Sequence, residues 1–452
     1  MRPISASVIW NSGVHLGNPD NFPPMTEQTF NRAYWLPSTN IYEVNIRQYT
    51  PEGTFNAFSA SLPRLKDMGV EVLWLMPIHP IGEKNRKGSL GSYYSIRDFK
   101  AVNPEFGTAG DFRALVKQVH NLGMKLVLDW VANHAAWDNV WTNTHPEYFE
   151  RDHDGHFKAP YDWTDVIQID HACEAEQDAM IDAMQYWVRE FDIDGFRADL
   201  AHLTPLPFWK KARTAIEPLK ENLFWLAETE DFNYHEVFDV SFTWEWMHKT
   251  DEYCKGMTNV DGLKMILHRY YGTFPASAYR MYFTSNHDEN SWNGTEYEKY
   301  HDMAHALAVF SCTWNGIPLI YSGQELPNLR RLKFFDKDPI DWTGTARLHD
   351  FYKTLLSLKK RNRALRACDP QVSSFMINTT RNDVVLAYLR MNGENAVLVM
   401  LNLSKEEITF STEDSLVEGN YTDVFSASAI SIDAGREFLL PPGGYFVYEK
   451  CE

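Results

Sequence analysis

The residues with the strongest chemical signature lie in "DGFRADLAH", residues 194 to 202. Arg197 and Asp199 are two apart, so on a strand they share a face, and His202 follows closely. A buried Arg–Asp pair is costly unless matched or used. Comparable polar clusters close three other strand-like runs. Asp129, Asn133 and His134 follow "MKLVL"; Glu228, Glu230 and Asp231 follow "LFWLA"; Asn286, His287 and Asp288 follow "YRMYFTS". A carboxylate cluster without cysteine suits acid/base and nucleophilic work better than a transition-metal site.

Two carboxylates flanking one bond, one as nucleophile and one as acid/base, are the machinery of retaining glycoside hydrolysis. Arg197 is expected to hold Asp199 as the ionised nucleophile. The acid/base is Glu228 or Glu230, since both would face the same way. Asp288 would steady the positive charge of an oxocarbenium-like transition state, and His134 and His287 would donate to sugar hydroxyls.

Strands must carry these residues to one place. From residue 39, eight strand candidates alternate with helical segments: 40–49, 70–78, 124–131, 194–199, 223–228, 239–244, 279–286 and 317–323. Thr54 is a plausible N-cap and Gly69 a stop for the first helical stretch. Eight βα units over roughly 320 residues predict a closed (β/α)8 TIM barrel, whose chemistry sits at the C-terminal strand ends. No GxGxxG follows the first strand, which weighs against a doubly wound open sheet. The stretch 132–174 reads as an irregular insertion after the third strand. Its Trp137, Trp141, Tyr161 and Trp163 either wall a cleft or fill a small core. After residue 365 the pattern turns to strands with turn residues between them, a C-terminal antiparallel β-sandwich domain. The expected domains are therefore 1–131 with 175–364 (barrel and N-terminal extension), 132–174 (insertion) and 365–452. The first 38 residues, with Trp10 and Trp35, are expected to form a short β extension packed on the barrel.

A formal net charge of -18 argues against nucleic-acid or anionic-lipid partners. No apolar run approaches the ~18 residues of a membrane span. The start of the chain is too short in apolar residues for a signal peptide. The compartment stays open between cytoplasm and periplasm or exterior. Five scattered cysteines without CxxC suggest neither a zinc site nor a disulfide framework.

With these motifs in hand, the sequence resembles the retaining α-amylase family of glycoside hydrolases (family 13). "DWVANH" (129–134), "GFRADLAH" (195–202), "AETE" (227–230) and "TSNHDEN" (284–290) match its four short regions in order, and the resemblance spans nearly the whole chain. It implies Asp199 as nucleophile, Glu228 as acid/base and Asp288 as transition-state stabiliser. It also implies Asp129, His134, Arg197 and His287 around the sugar. "GSYYSIRDF" (91–99) resembles the family's tyrosine segment and implies Tyr94 as the stacking residue under the attacked sugar. "VIQID" (166–170) is a looser match to a fifth motif.

Two positions depart from the family pattern. His202 stands where many relatives have Lys, and Leu203 where they have His; His202 is expected to tune which sugar is accepted. The resemblance offers Asn133 as a calcium ligand, but the rest of such a cage is not readable. Asn133 is therefore expected to be a loop hydrogen-bonder, and the chemistry requires no cofactor. The implied substrate is an α-1,4-linked glucan such as starch or a maltooligosaccharide. Alternatives are transglycosylation, action on α-1,6 linkages or cyclodextrins, and a non-catalytic sugar-binding scaffold. The sequence is silent on oligomeric state.

Overall fold

The computed structural model describes residues 8–9, 30–343 and 346–451; Trp10 lies outside them. Eight parallel strands close into a barrel in chain order: Ile41–Val44, Val72–Leu75, Lys125–Trp130, Gly195–Ala198, Phe224–Ala227, Val240–Phe242, Tyr279–Tyr282 and Ile317–Tyr321. All eight expected strands are present, with shorter bounds. The first ends at Val44 rather than Tyr49, because Ile46–Tyr49 turns into a helical segment.

Strand alternation explains the layering of the barrel interior. Ile41, Val72, Trp74, Val127, Phe224, Leu226, Val240, Phe242, Met281 and Leu319 share one buried cluster. One inward position further along, on the first, third and fourth strands, the residues become polar: Glu43, Asp129 and Arg197, all fully buried. A packed apolar barrel is thus capped by a charged layer at the end where the βα loops gather. Asp129 and Arg197 are direct partners in the register of the third and fourth strands.

Local signals set the helices. Thr54 caps Phe55–Ser59 by accepting the Ala57 N–H, and Gly69 ends Leu62–Met68 in the left-handed conformation, φ 97°. Gly195 opens the fourth strand with φ 145°, and a Cβ there would sit 2.0 Å from the Phe224 carbonyl oxygen. The aromatic-rich segment Trp244–Cys254 forms a helix that the expected strand-to-helix order lacked.

The insertion carries a two-stranded antiparallel sheet, His134–Ala136 with Val166–Gln168, so the fifth motif lies directly beside the end of "DWVANH". The C-terminal domain has a large sheet facing the two-stranded sheet Ile408–Ser411 and Glu437–Leu440 across a shared core. It packs on the barrel helix Ala304–Thr313: the Tyr388 hydroxyl lies 2.6 Å from Thr313 Oγ1, and buried Arg390 donates to the Trp314 carbonyl at 3.0 Å. The N-terminal extension differs from expectation. Val8–Ile9 joins the edge of the C-terminal sheet, parallel to Ser374–Phe375, rather than the barrel. Trp35 does rest on the barrel, stacked on Phe224 with ring centroids 5.8 Å apart.

Candidate active site

The charged layer is organised by one guanidinium. Arg197 is fully buried, and its Nη1 donates to Asp129 Oδ1 at 2.8 Å and to Asp199 Oδ1 at 2.9 Å. Its Nη2 lies 2.7 Å from Glu228 Oε2, an ion-pair contact without hydrogen-bond alignment. Trp74, Phe242 and Tyr94 surround the cation, with ring centroids 4.9, 5.5 and 5.9 Å from Cζ. Burial pushes the Asp199 carboxyl well up, Arg197 opposes it, and Glu228 and Asp129 reinforce the rise. The expectation that Arg197 alone fixes Asp199 as a carboxylate is therefore incomplete. One cation is divided among three carboxyl groups, those of Asp129, Asp199 and Glu228.

Glu228 is held from a second direction. Its Oε2 accepts the Leu200 N–H at 2.8 Å. Leu200, directly after Asp199, sits at φ 40°, ψ 48°, the left-handed region that a branched side chain seldom adopts. Local strain thus ties the backbone beside one carboxylate to the other. Glu230, which spacing could not separate from Glu228, faces elsewhere. It accepts from the Tyr270 hydroxyl at 2.7 Å, Arg280 Nη2 at 3.1 Å and the Glu245 N–H at 2.8 Å.

Above this layer opens a cleft of about 470 Å³, lined by Tyr94, His134, Asp199, Leu200, Glu228 and Asp288 together with Lys87, Trp163, Asp165, Trp292, Phe334 and Phe335. All three expected carboxylates face it. Of the six residues expected around the sugar, Tyr94 and His134 line it. Burial drops the His134 ring to about 4, so it is neutral near neutral pH. Asp129, Arg197 and His287 lie one layer beneath. Asp129 takes the Trp74 Nε1–H at 3.1 Å and the Tyr94 hydroxyl at 3.0 Å. These three are correctly placed by strand but too deep to line the cleft, because their side chains point into the closed barrel mouth. His202 is exposed on the turn Ala201–Leu203 and does not line the cleft.

Asp288 precedes a wide π-type turn, Glu289–Asn293, that places Trp292 on the same wall. Glu289 is locked by Lys299 at 2.7 Å. Burial raises the Asp288 carboxyl, but His287, 3.3 Å away, brings it below its ordinary value. Sequence reasoning missed Glu43, whose Oε1 lies 2.5 Å from His287 Nδ1, and Lys87, which spans 2.8 Å to Asp165 on the insertion. Of the insertion aromatics, Trp163 reaches the cleft, whereas Trp141 stacks on Phe99 at 4.9 Å. A separate cavity of about 450 Å³ lies between the barrel and the C-terminal domain, away from these carboxylates, and is walled mainly by groups such as Tyr270, Trp314 and Val372.

The calcium ligand suggested at Asn133 does not fit the structure. Asn133 Oδ1 and its carbonyl oxygen both accept from Gln168 Nε2, at 2.9 and 3.0 Å. The neighbouring Ala132 carbonyl accepts from His171 Nε2 at 3.0 Å, and His171 Nδ1 is 2.9 Å from buried Glu176. Calcium takes six to eight oxygen ligands, and here both oxygens of Asn133 and the Ala132 carbonyl already accept N–H donors. Asn133 is a loop hydrogen-bonder.

The chain matches the model of the α-amylase catalytic domain over residues 18–166 and 164–370, and that of the maltogenic amylase C-terminal domain over 376–447. It is similar to a solved noncanonic maltogenic α-amylase from Thermotoga neapolitana, at 30% identity and TM-score 0.83, covering 92% of this chain and 99% of that one. A solved α-amylase from Lactobacillus plantarum gives the same figures. An α-1,4-glucan:maltose-1-phosphate maltosyltransferase from Rhodospirillum rubrum is 28% identical over 406 residues, 80% of this chain. The chain spans 56% of that relative's length.

Proposed function

The chain belongs to the α-amylase family, and on that premise we propose that it hydrolyses α-1,4 bonds of starch-like glucans or maltooligosaccharides with retention of configuration. The observation that carries this reading is the shared guanidinium. It brings Asp199 and Glu228 together at the floor of a cleft with Asp288 on its wall. Two carboxyl groups on one guanidinium suit retention, for which they lie about 5 to 5.5 Å apart, better than the wider gap of inversion.

The proposed course follows from these contacts. A glucosyl ring lies against Tyr94. In this course Asp199, which takes the aligned hydrogen bond from Arg197, is the nucleophile, and Glu228 is the acid. Glu228 donates a proton to the leaving glycosidic oxygen while Asp199 attacks the anomeric carbon. Asp288 stabilises the cationic transition state. Water then displaces Asp199 from the covalent glucosyl intermediate, with Glu228 taking its proton. These steps need no metal, and Gln168 and His171 tie the insertion to Asn133 and Ala132.

The Asp199→Asn variant should retain its fold and lose turnover of an activated maltooligosaccharide by several orders of magnitude. Wild-type-like turnover would overturn the mechanism, and a β-anomer as first product would rule out retention. Similarity to a maltosyltransferase supports a second reading, in which a sugar hydroxyl replaces water in the second step. Products longer than the substrate at high maltotriose would favour it.

A further inference from the structure

We propose that Glu43 is a positioning residue that keeps His287 doubly protonated, so that a fixed imidazolium lies beneath Asp288. The inference rests on the proposed reading of the cleft, but its geometry stands apart from it. Glu43 sits on the first barrel strand, fully enclosed, and its Oε1 is 2.5 Å from His287 Nδ1. Its Oε2 is buried without a hydrogen-bond partner, so the ring is its means of neutralisation.

The far side of the ring decides its protonation. His287 Nε2 lies 2.8 Å from the Tyr94 hydroxyl and 3.3 Å from Asp288 Oδ2. The Tyr94 hydroxyl also lies 3.0 Å from Asp129 Oδ2, and with its proton turned to that carboxylate its oxygen accepts from Nε2, as Asp288 Oδ2 does. Both ring nitrogens therefore face acceptors, and only the imidazolium satisfies both.

The charged and titratable groups around the ring come from six of the strands and their loops. Glu43 is on the first strand, Tyr94 follows the second, Asp129 is on the third, Arg197 and Asp199 belong to the fourth, Asp288 follows the seventh and Tyr321 ends the eighth. Arg197 disfavours a second cation, and the carboxylates outweigh it. Burial works against the charged ring, yet Asp288 and Glu43 together hold it well above the ordinary histidine range. Glu43 does not line the cleft, so it acts through His287. An ordinary histidine, with a pKa of about 6.5, would lose its charge near neutrality. This one keeps it, and Asp288 stays ionised where a cationic sugar must form.

The test is 15N NMR of the full chain labelled on histidine, with His287→Gln identifying the resonances. Both His287 nitrogens should carry protons from pH 6 to 8. In Glu43→Gln, whose amide oxygen still accepts from Nδ1, the ring should lose its second proton at least one pH unit lower. That variant's kcat should fall about tenfold, with KM within twofold. An unprotonated nitrogen on wild-type His287 at pH 7.5 would overturn the inference, even if Glu43→Gln fails to fold. So would an unshifted titration in a folded Glu43→Gln. A charged ring in a protein without glucan turnover would instead overturn the proposed function and leave this inference standing.

Discussion

Arg197→Lys isolates what the shared guanidinium contributes, because it preserves the charge and removes the fork. Arg197 makes two aligned hydrogen bonds from Nη1 and a third, unaligned contact from Nη2. An ammonium on a flexible stem can satisfy one of the two aligned partners as a point charge but cannot bridge three carboxyl groups. A hydrogen bond to a charged group is worth about 1.5 to 3 kcal/mol. Losing one of them at the nucleophile should lower kcat by about 10- to 150-fold, at about 1.4 kcal/mol per decade. Because Arg197 is fully buried and does not line the cleft, KM should change less than about threefold. The assay is steady-state hydrolysis of a chromogenic maltooligosaccharide, well below the melting temperature of the variant. A kcat within twofold of wild type, or a loss confined to KM, would refute the argument that this guanidinium sets the nucleophile.

Two further outcomes follow from other parts of the molecule. Treatment with EDTA should leave both the melting temperature and the turnover unchanged, since Gln168 and His171 occupy the oxygens a calcium ion would need; a fall of several degrees restored by calcium would contradict this. At the base of the barrel, burial raises the Asp194 carboxyl, but a hydrogen bond from His120 and the charge of Lys220 bring it below its ordinary value. A carboxyl lowered in the folded state stabilises it above the unfolded pKa of about 3.9 and loses that contribution as pH falls through the folded value. The stability gap between wild type and Asp194→Asn, measured by urea unfolding, should therefore be widest near neutrality and shrink below about pH 4; a gap that grows on acidification would reverse the assignment.

The barrel was legible because its strands are short apolar runs that end abruptly in polar residues. The same contrast that marks Leu128–Asp129 or Ala227–Glu228 as a strand end also marks a site. Depth was not legible. Asp129 and Asp199 look alike in sequence, yet one lies under Tyr94 and the other faces the cleft, a difference set by which alternate position meets the closed barrel mouth. Glu43 was invisible because the partner its carboxylate meets, His287, is 244 positions away and joins it through barrel closure. Trp244–Cys254 was missed because its aromatic residues match strand composition as well as helix spacing. Lys87 meets Asp165 only once the insertion folds back over the second loop.

The pairing of Val8–Ile9 with Ser374–Phe375 has a consequence for biosynthesis. The partner strand leaves the ribosome some 370 residues after this segment, roughly 20 to 70 s at 5–20 residues per second. The barrel strands have all emerged by then, so the barrel can close while this segment is still unpaired. When Ser373–Ile377 does appear, its outer edge offers unpaired backbone to any passing strand until Val8–Ile9 covers it. Val8–Ile9 thus serves as a tethered seal, present at high local concentration before competing chains can reach that edge.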